Sequence, residues 1–224
     1  MSQCKKSFQN AIILGRKQKV SHMFTGLIRE FAHVVRYENN ILTLRAKYVP
    51  RIGDSIAVNG VCLTVIALFD GGFSVELSLE TRSLIAMENI KDVVHMEPAL
   101  CLGDRLDGHI VQGHVDCVGT IVHIARHENG VDVEVEIPKE FAHLMIPKGS
   151  VAVDGVSLTI NDVVANTFRL TIIPHTLEKT LISTFSVGRR VNIETDMFAR
   201  YIYHMFKKEK SLDWAGIDRI LASY

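Results

Sequence analysis

The sequence predicts an all-β protein in which one barrel-sized unit is written twice and followed by a C-terminal α-helix. Three observations carry this. The run SIAVNGVCLTV at 55–65 returns as SVAVDGVSLTI at 150–160, an offset of 95 residues with seven identities. Several short segments alternate apolar and polar residues, the period of a half-buried strand. Near residue 197 the period becomes helical.

The repeat extends beyond its best window. Phe73 pairs with Phe168 and Thr81 with Thr176 at the same offset of 95, and VHME at 94–97 resembles VNIE at 191–194. Upstream, FTGLI at 24–28 resembles VQGHV at 111–115. The expected units are therefore 23–110 and 111–196. Within them, 131–137, 74–79 and 167–172 read as strands. Asn59-Gly60 and Asp154-Gly155 stand between β-branched runs, a signal for tight turns with positive φ. Short strands without long helical patterns between them suit a small closed barrel, which leaves no strand edge exposed. In the tail, Phe198, Tyr201, Ile202, Met205 and Phe206 fall on one helical face, with Asp196 as N-cap or first-turn acid. That face packs on its own barrel or joins subunits; the pattern allows both. A second short helix is expected over 212–221, capped by Ser211. Residues 197–224 thus form a helical, candidate oligomerisation segment.

Composition narrows the function. The 224 residues carry 25 basic and 25 acidic side chains, so net charge makes no case for nucleic acid or an anionic membrane. Residues 1–22 hold five of the basic side chains and no acid, which leaves a mildly acidic body. This leader has too short an apolar stretch for a secretory signal. It reads as an organellar presequence, or as an upstream start or added leader before a domain that opens at Met23. No apolar run approaches the ~20 residues of a membrane span. The four cysteines, Cys4, Cys62, Cys101 and Cys117, form no C-x-x-C pair, and a reduced cytoplasmic location fits them best.

Comparing the copies points to chemistry. Cys62 stands opposite Ser157, and a partly ionised thiol is much the better nucleophile, although a strand cysteine is also an ordinary small core residue. His114 stands opposite Leu27 and can act as acid or base near neutrality; a hydrogen-bonded loop histidine is the alternative. His109 and His114 are five apart, which matches no zinc spacing, so no metal site is expected. Thr81 and Thr176 follow matching strands and suit one polar small molecule per unit, or simply turn chemistry. No P-loop or G-x-G-x-x-G occurs.

MFTGLI at 23–28, GDSIAVNGVCLT at 53–64, GHIVQGHV at 108–115, KGSVAVDGVSLT at 148–159 and IPHTL at 173–177 resemble, in this order, the riboflavin synthase family of alpha-chain type. The resemblance implies two six-stranded Greek-key barrels and a C-terminal helix that holds a homotrimer. It implies that each barrel binds one 6,7-dimethyl-8-ribityllumazine. One lumazine would give a four-carbon unit to the other, yielding riboflavin and 5-amino-6-(ribitylamino)uracil, with no metal or redox cofactor. The site would lie between the N-terminal barrel of one subunit and the C-terminal barrel of its neighbour.

Carried over by motif, Cys62, Ser55 and His114 belong to the N-terminal barrel site, with Phe24 beside it. His114 would assist proton transfer at the acidic lumazine methyl. Cys62 or Ser55 would assist nucleophile addition or stabilise the adduct. Thr159, Lys148 and Asp196 would stand near the second ring. Gly26, Leu27, Ile28, Leu63, Thr64, Glu76, Leu77, Ser78, Leu79, Glu80, Thr81, Gly113 and Val115 would line the pockets. So would Ser157, Leu158, Ile173, Pro174, His175, Thr176, Leu177 and Glu178. Gln112 stands where a serine is common in the family, His175 replaces an acid, and the leader precedes Phe24, which belongs at the chain start. The competing reading is a non-catalytic lumazine- or flavin-binding protein on the same duplicated barrel, like the lumazine proteins of luminous bacteria.

Overall fold

The computed structural model describes residues 23–209; the leader and the helix expected at 212–221 lie outside the described residues. The N-terminal barrel contains β1 (Glu30–Glu38), β2 (Ile41–Arg45), β3 (Ser55–Val58), β4 (Val61–Phe69), β5 (Gly72–Glu76) and β6 (Val93–Pro98). The C-terminal barrel contains β7 (Cys117–His127), β8 (Gly130–Glu136), β9 (Ser150–Val153), β10 (Val156–Val164), β11 (Thr167–Ile172) and β12 (Arg190–Thr195). Both close, with strand orders β1-β2-β5-β4-β3-β6 and β10-β11-β8-β7-β12-β9. Shifting every label by six converts one order into the other, and all pairings are antiparallel.

The bulges repeat as well. The register slips at Val35 in β1 and Val122 in β7, and again at Ile66 in β4 and Asn161 in β10. An extra residue on one strand sharpens the local twist, which a small barrel needs in order to close. Each interior is filled by the inward half of its alternating strands. Phe73, Leu42, Leu44, Ile56 and Met96 are fully enclosed in one barrel, and Phe168, Ile121, Ile160, Leu170 and Ile172 in the other.

The predicted turns form as read. Asn59 and Gly60 have φ of 44° and 80°, and Asp154 and Gly155 have 45° and 80°, so both are type I′. They also meet: a Cβ on Gly60 would lie 2.6 Å from the Gly155 nitrogen. Between the barrels, Phe24 is enclosed by Ala57, Ala99, Val111 and Ala152. Ala57 and Ala152 are equivalent residues, and their small size lets the strands approach. Phe24 and Val111, also equivalent, exchange two backbone hydrogen bonds at 2.7 and 3.1 Å. The two halves are thus related by an approximate two-fold axis through this bridge.

One predicted strand ends early. Alternation suggests a strand over 74–79, but β5 stops at Glu76 and α1 begins at Leu79 (Leu79–Leu84). Ser78 is the cause: its Oγ accepts from the Thr81 N–H at 3.0 Å and caps the helix. Thr176 likewise lies on a short helix, α2 (Pro174–Lys179), with proline in its first turn.

The tail helix α3 (Met197–Glu209) starts where expected, and the Asp196 carboxylate accepts from the Phe198 N–H at 2.8 Å. The predicted apolar face does not pack on its own barrel. Phe198, Tyr201, Ile202, Met205 and Phe206 are each more than half exposed.

Candidate functional site

Two clefts of matching design flank the two-fold axis. The first, of about 200 Å³, is lined by Val61, Cys62, Glu80, Thr81, Leu84, Ile85, Gly113, His114 and Val115. The second, of about 250 Å³, is lined by Gly26, Leu27, Ile28, Arg29, Val156, Ser157, His175, Thr176, Lys179 and Thr180. Each takes a β-turn strand and a short helix from one barrel and a glycine-containing strap from the other half. The straps are exchanged. Gly113 accepts a hydrogen bond from the Cys62 N–H at 2.9 Å, and Gly26 accepts one from the Ser157 N–H at 2.8 Å.

A buried carboxylate shapes each strap. Glu97 on β6 accepts from the Thr25 N–H (2.7 Å), the Thr25 hydroxyl (2.7 Å) and the Gly26 N–H (3.0 Å). Glu194 on β12 accepts from the N–H groups of Gln112 (2.7 Å), Gly113 (2.8 Å) and His114 (3.1 Å). Burial pushes Glu194 up to about 7, against the pull of the Gln112 and Gly113 amides and of Arg200, and it raises Glu97 as well. Arg200 on α3 adds a second brace to the His114 strap by donating to the Gln112 side-chain oxygen at 2.8 Å and pairing with Asp116.

The reactive groups differ between the clefts. Cys62 packs against the Phe24 cluster, and burial raises its thiol pKa while a hydrogen bond with Ser55 opposes the rise. Ser157 instead faces His109, whose Nδ1 lies 2.7 Å from the serine oxygen. Burial lowers the His109 pKa against the raising influence of Asp196, and its Nε2 is buried without a partner among the described residues.

Of the predicted residues, Cys62, Glu80, Thr81, Gly113, His114 and Val115 gather in the first cleft, backed by Ser55 and Phe24. Gly26, Leu27, Ile28, Ser157, His175 and Thr176 gather in the second. Leu63 and Leu77 are core residues, while Leu158 and Leu177 pack partly against the core. Thr64, Glu76, Ser78, Leu79, Lys148, Thr159, Ile173, Pro174 and Glu178 are exposed and line neither cleft. Asp196 caps α3.

The sequence reading missed three residues. The sequence offers His109 only as a metal-ligand candidate, and Glu97 and Glu194 only as matching positions of the repeat. The signal is an acidic residue at the same place in both copies of an alternating strand, VHME and VNIE. A larger cavity of about 570 Å³, between Arg29, Tyr48 and the 99–107 loop, holds none of the predicted residues.

The lumazine binding domain family matches the chain twice, at residues 25–99 and 112–196. The riboflavin synthase of Photobacterium phosphoreum is 40% identical over 202 residues, which cover 85% of this chain and 92% of that one. That of Mycobacterium tuberculosis is 41% identical over 83% of this chain and 98% of its own. Among solved structures, LumP complexed with riboflavin superposes with a TM-score of 0.69 at 18% identity, covering 77% of this chain and 98% of LumP. LumP complexed with 6,7-dimethyl-8-(1'-D-ribityl) lumazine gives 0.66 at 17%, with the same coverage. At these identities the LumP structures speak for the fold. The doubled domain and relatives at 40–41% identity that align over 83–85% of its length go further: this chain belongs to the riboflavin synthase family.

Proposed function

We propose that the chain catalyses the dismutation of two 6,7-dimethyl-8-ribityllumazine molecules to riboflavin and 5-amino-6-(ribitylamino)uracil. The observation that carries this is a pair of clefts built on one plan but armed differently, with Cys62 and His114 against Ser157 and Leu27. Two identical substrates need two similar sites. One must donate four carbons and the other accept them, so the sites must also differ. The atoms of two lumazines equal those of the two products, so the reaction balances without a further reactant. Holding both rings in register supplies much of the catalysis, up to roughly 7–11 kcal/mol.

His114 moves a proton at the acidic lumazine methyl, presented on the strap that Glu194 organises. Cys62 and Ser55 hold the nucleophile or its adduct. Phe24 backs the first cleft from between the barrels, and Lys148, Thr159 and Asp196, which lie outside both clefts, serve the substrate face that a neighbouring subunit closes. The clefts, at about 200 and 250 Å³, fall below the roughly 300–1,000 Å³ of sites that enclose a small ligand. This supports half-sites closed by a neighbouring subunit. The bare apolar face of α3 supports a trimer joined there. Truncation after Asp196 is expected to give monomers or aggregates by analytical ultracentrifugation; an intact trimer would refute that role.

The deciding experiment incubates the purified protein with 6,7-dimethyl-8-ribityllumazine in EDTA and follows riboflavin by absorbance and chromatography. One riboflavin per two lumazines consumed is expected. Stoichiometric lumazine binding without product would instead establish a binding protein of the LumP kind.

Two variants test the residue roles. A thiol kept neutral by burial is a poor thiolate source, so Cys62→Ser should lower kcat by no more than about tenfold. A near-complete loss would make the thiolate the nucleophile. His114→Gln should lower kcat about 100-fold, with lumazine affinity nearly unchanged. Unchanged turnover would remove His114 from the mechanism.

A further inference from the structure

His95 on β6 and Asn192 on β12 occupy the same place in the VHME and VNIE runs. Both are buried, and neither lines a cleft. Each reaches across the two-fold axis and makes the same two bonds. The Asn192 amide donates to the Asn59 carbonyl at 2.9 Å, in the β3–β4 turn of the other barrel, and accepts from the Ala86 N–H at 2.8 Å, just after α1. His95 Nδ1 lies 2.8 Å from the Asp154 carbonyl, in the β9–β10 turn, and its Nε2 lies 2.7 Å from the Leu181 nitrogen, just after α2. Helix α1 carries Glu80 and Thr81 into the first cleft, and α2 carries His175 and Thr176 into the second.

We propose that His95 and Asn192 are reciprocal positioning residues, each fixing the substrate-lining helix of the opposite barrel. His95 serves the second cleft and Asn192 the first. The proposal rests on the reading of both clefts as substrate sites.

The pair is matched in geometry but not in chemistry. Histidine makes both bonds only as the neutral Nδ1–H tautomer, because Nε2 must accept from Leu181. A second ring proton would set donor against donor. The groups around the ring are Asp154, whose carboxylate is engaged by the Asn192 N–H and Arg189, then Arg189 itself and the Phe31 ring. Burial and Arg189 lower the His95 pKa to about 4, against the Asp154 carbonyl, so the accepting form holds at neutral pH. Asparagine does not titrate, and only the second cleft carries this dependence.

The test uses full-length protein with methyl-labelled threonine, titrated with riboflavin and observed by NMR at Thr81 and Thr176. Loss of two buried hydrogen bonds predicts that His95→Leu raises the Thr176 midpoint at least about tenfold and leaves Thr81 within about twofold. Asn192→Leu should do the reverse, and His95→Asn should restore both midpoints to within about threefold of wild type. Equal weakening at both threonines, or none, while wild type titrates at both would overturn the proposal. If wild type shows no riboflavin-induced shift at either threonine, the reading of the clefts as substrate sites fails first and takes the proposal with it. Should His95→Leu not fold, the wild-type protein decides the His95 half: its 15N-histidine spectrum at pH 7 must show the Nδ1–H tautomer at His95. An Nε2–H or charged ring overturns the proposal.

Discussion

Gly113→Ala is expected to cost about 2–5 kcal/mol of stability and to lower kcat/KM by roughly 1,000-fold. The residue has φ of 77°, where a side chain is strained, and its new Cβ would lie 2.6 Å from the Cys62 Cβ and 2.8 Å from the Cys62 nitrogen. Something must therefore shift by more than half an ångström. The strap bears His114 on one side, and the strand bears Cys62 on the other. Either movement separates the two groups that the first cleft brings together. A displacement near 1 Å at a reacting centre is worth on the order of 100-fold by itself. On the role proposed for His114, displacing its imidazole adds to it. Gly53→Ala is the control: its φ is 86°, but the added Cβ meets nothing within 4 Å among the described residues. It should show backbone strain of about 1 kcal/mol and nearly wild-type kinetics. Chemical denaturation and steady-state assays of both variants decide the matter. If Gly113→Ala were as stable and active as Gly53→Ala, the strap could not be a rigid part of the site.

The exchange of straps also shows how far the sequence could be read. The two I′ turns, the strands at 131–137 and 167–172 and the start of α3 are legible because each rests on spacing within a short window, and the duplication is legible because its two copies match at a constant offset of 95 residues. The alignment of Gly26 with Gly113 was legible too. Which barrel each strap serves was not, since the Gly26–Ser157 and Gly113–Cys62 hydrogen bonds join residues far apart in sequence. A repeat states that two segments are equivalent; it does not state whether each stays with its own copy. The strand expected over 74–79 ends at Glu76 for a local reason. Leu77 and Leu79 continue the alternation, but Ser78 gains more as a helix cap than as a strand residue. Glu97 and Glu194 escaped notice because a strand acid in an alternating pattern normally faces water. Here both keep the outward face of their strands, but a strap covers that face and buries them.

Glu194→Gln is expected to lower kcat/KM about 100-fold while changing stability little. Three backbone N–H groups converge on this carboxylate, and only its charged form offers two full acceptor oxygens to them. Glutamine leaves one acceptor oxygen and turns two donors toward the same amides, so the His114 strap loses its set position. Stability follows a different rule. Because burial raises Glu194 to about 7 in the folded protein, the native state holds a proton that the unfolded chain has already released above the usual glutamate range. The neutral acid therefore stabilises the fold at low pH, and that contribution is lost as pH rises through about 7. Relative to Glu194→Gln, wild-type stability should decline across that window. Its kcat/KM should rise over the same window, as the carboxylate that organises the strap accumulates. The variant should lack this rising limb. Paired measurements of denaturation and kcat/KM from pH 5 to 8 test both slopes. Parallel pH profiles for the two proteins would mean that Glu194 is already ionised throughout. A large loss of stability with intact kinetics would make it a structural anchor only. The expected opposition of the two slopes follows from one cause: the strap needs a buried negative charge, and the fold is more stable without it.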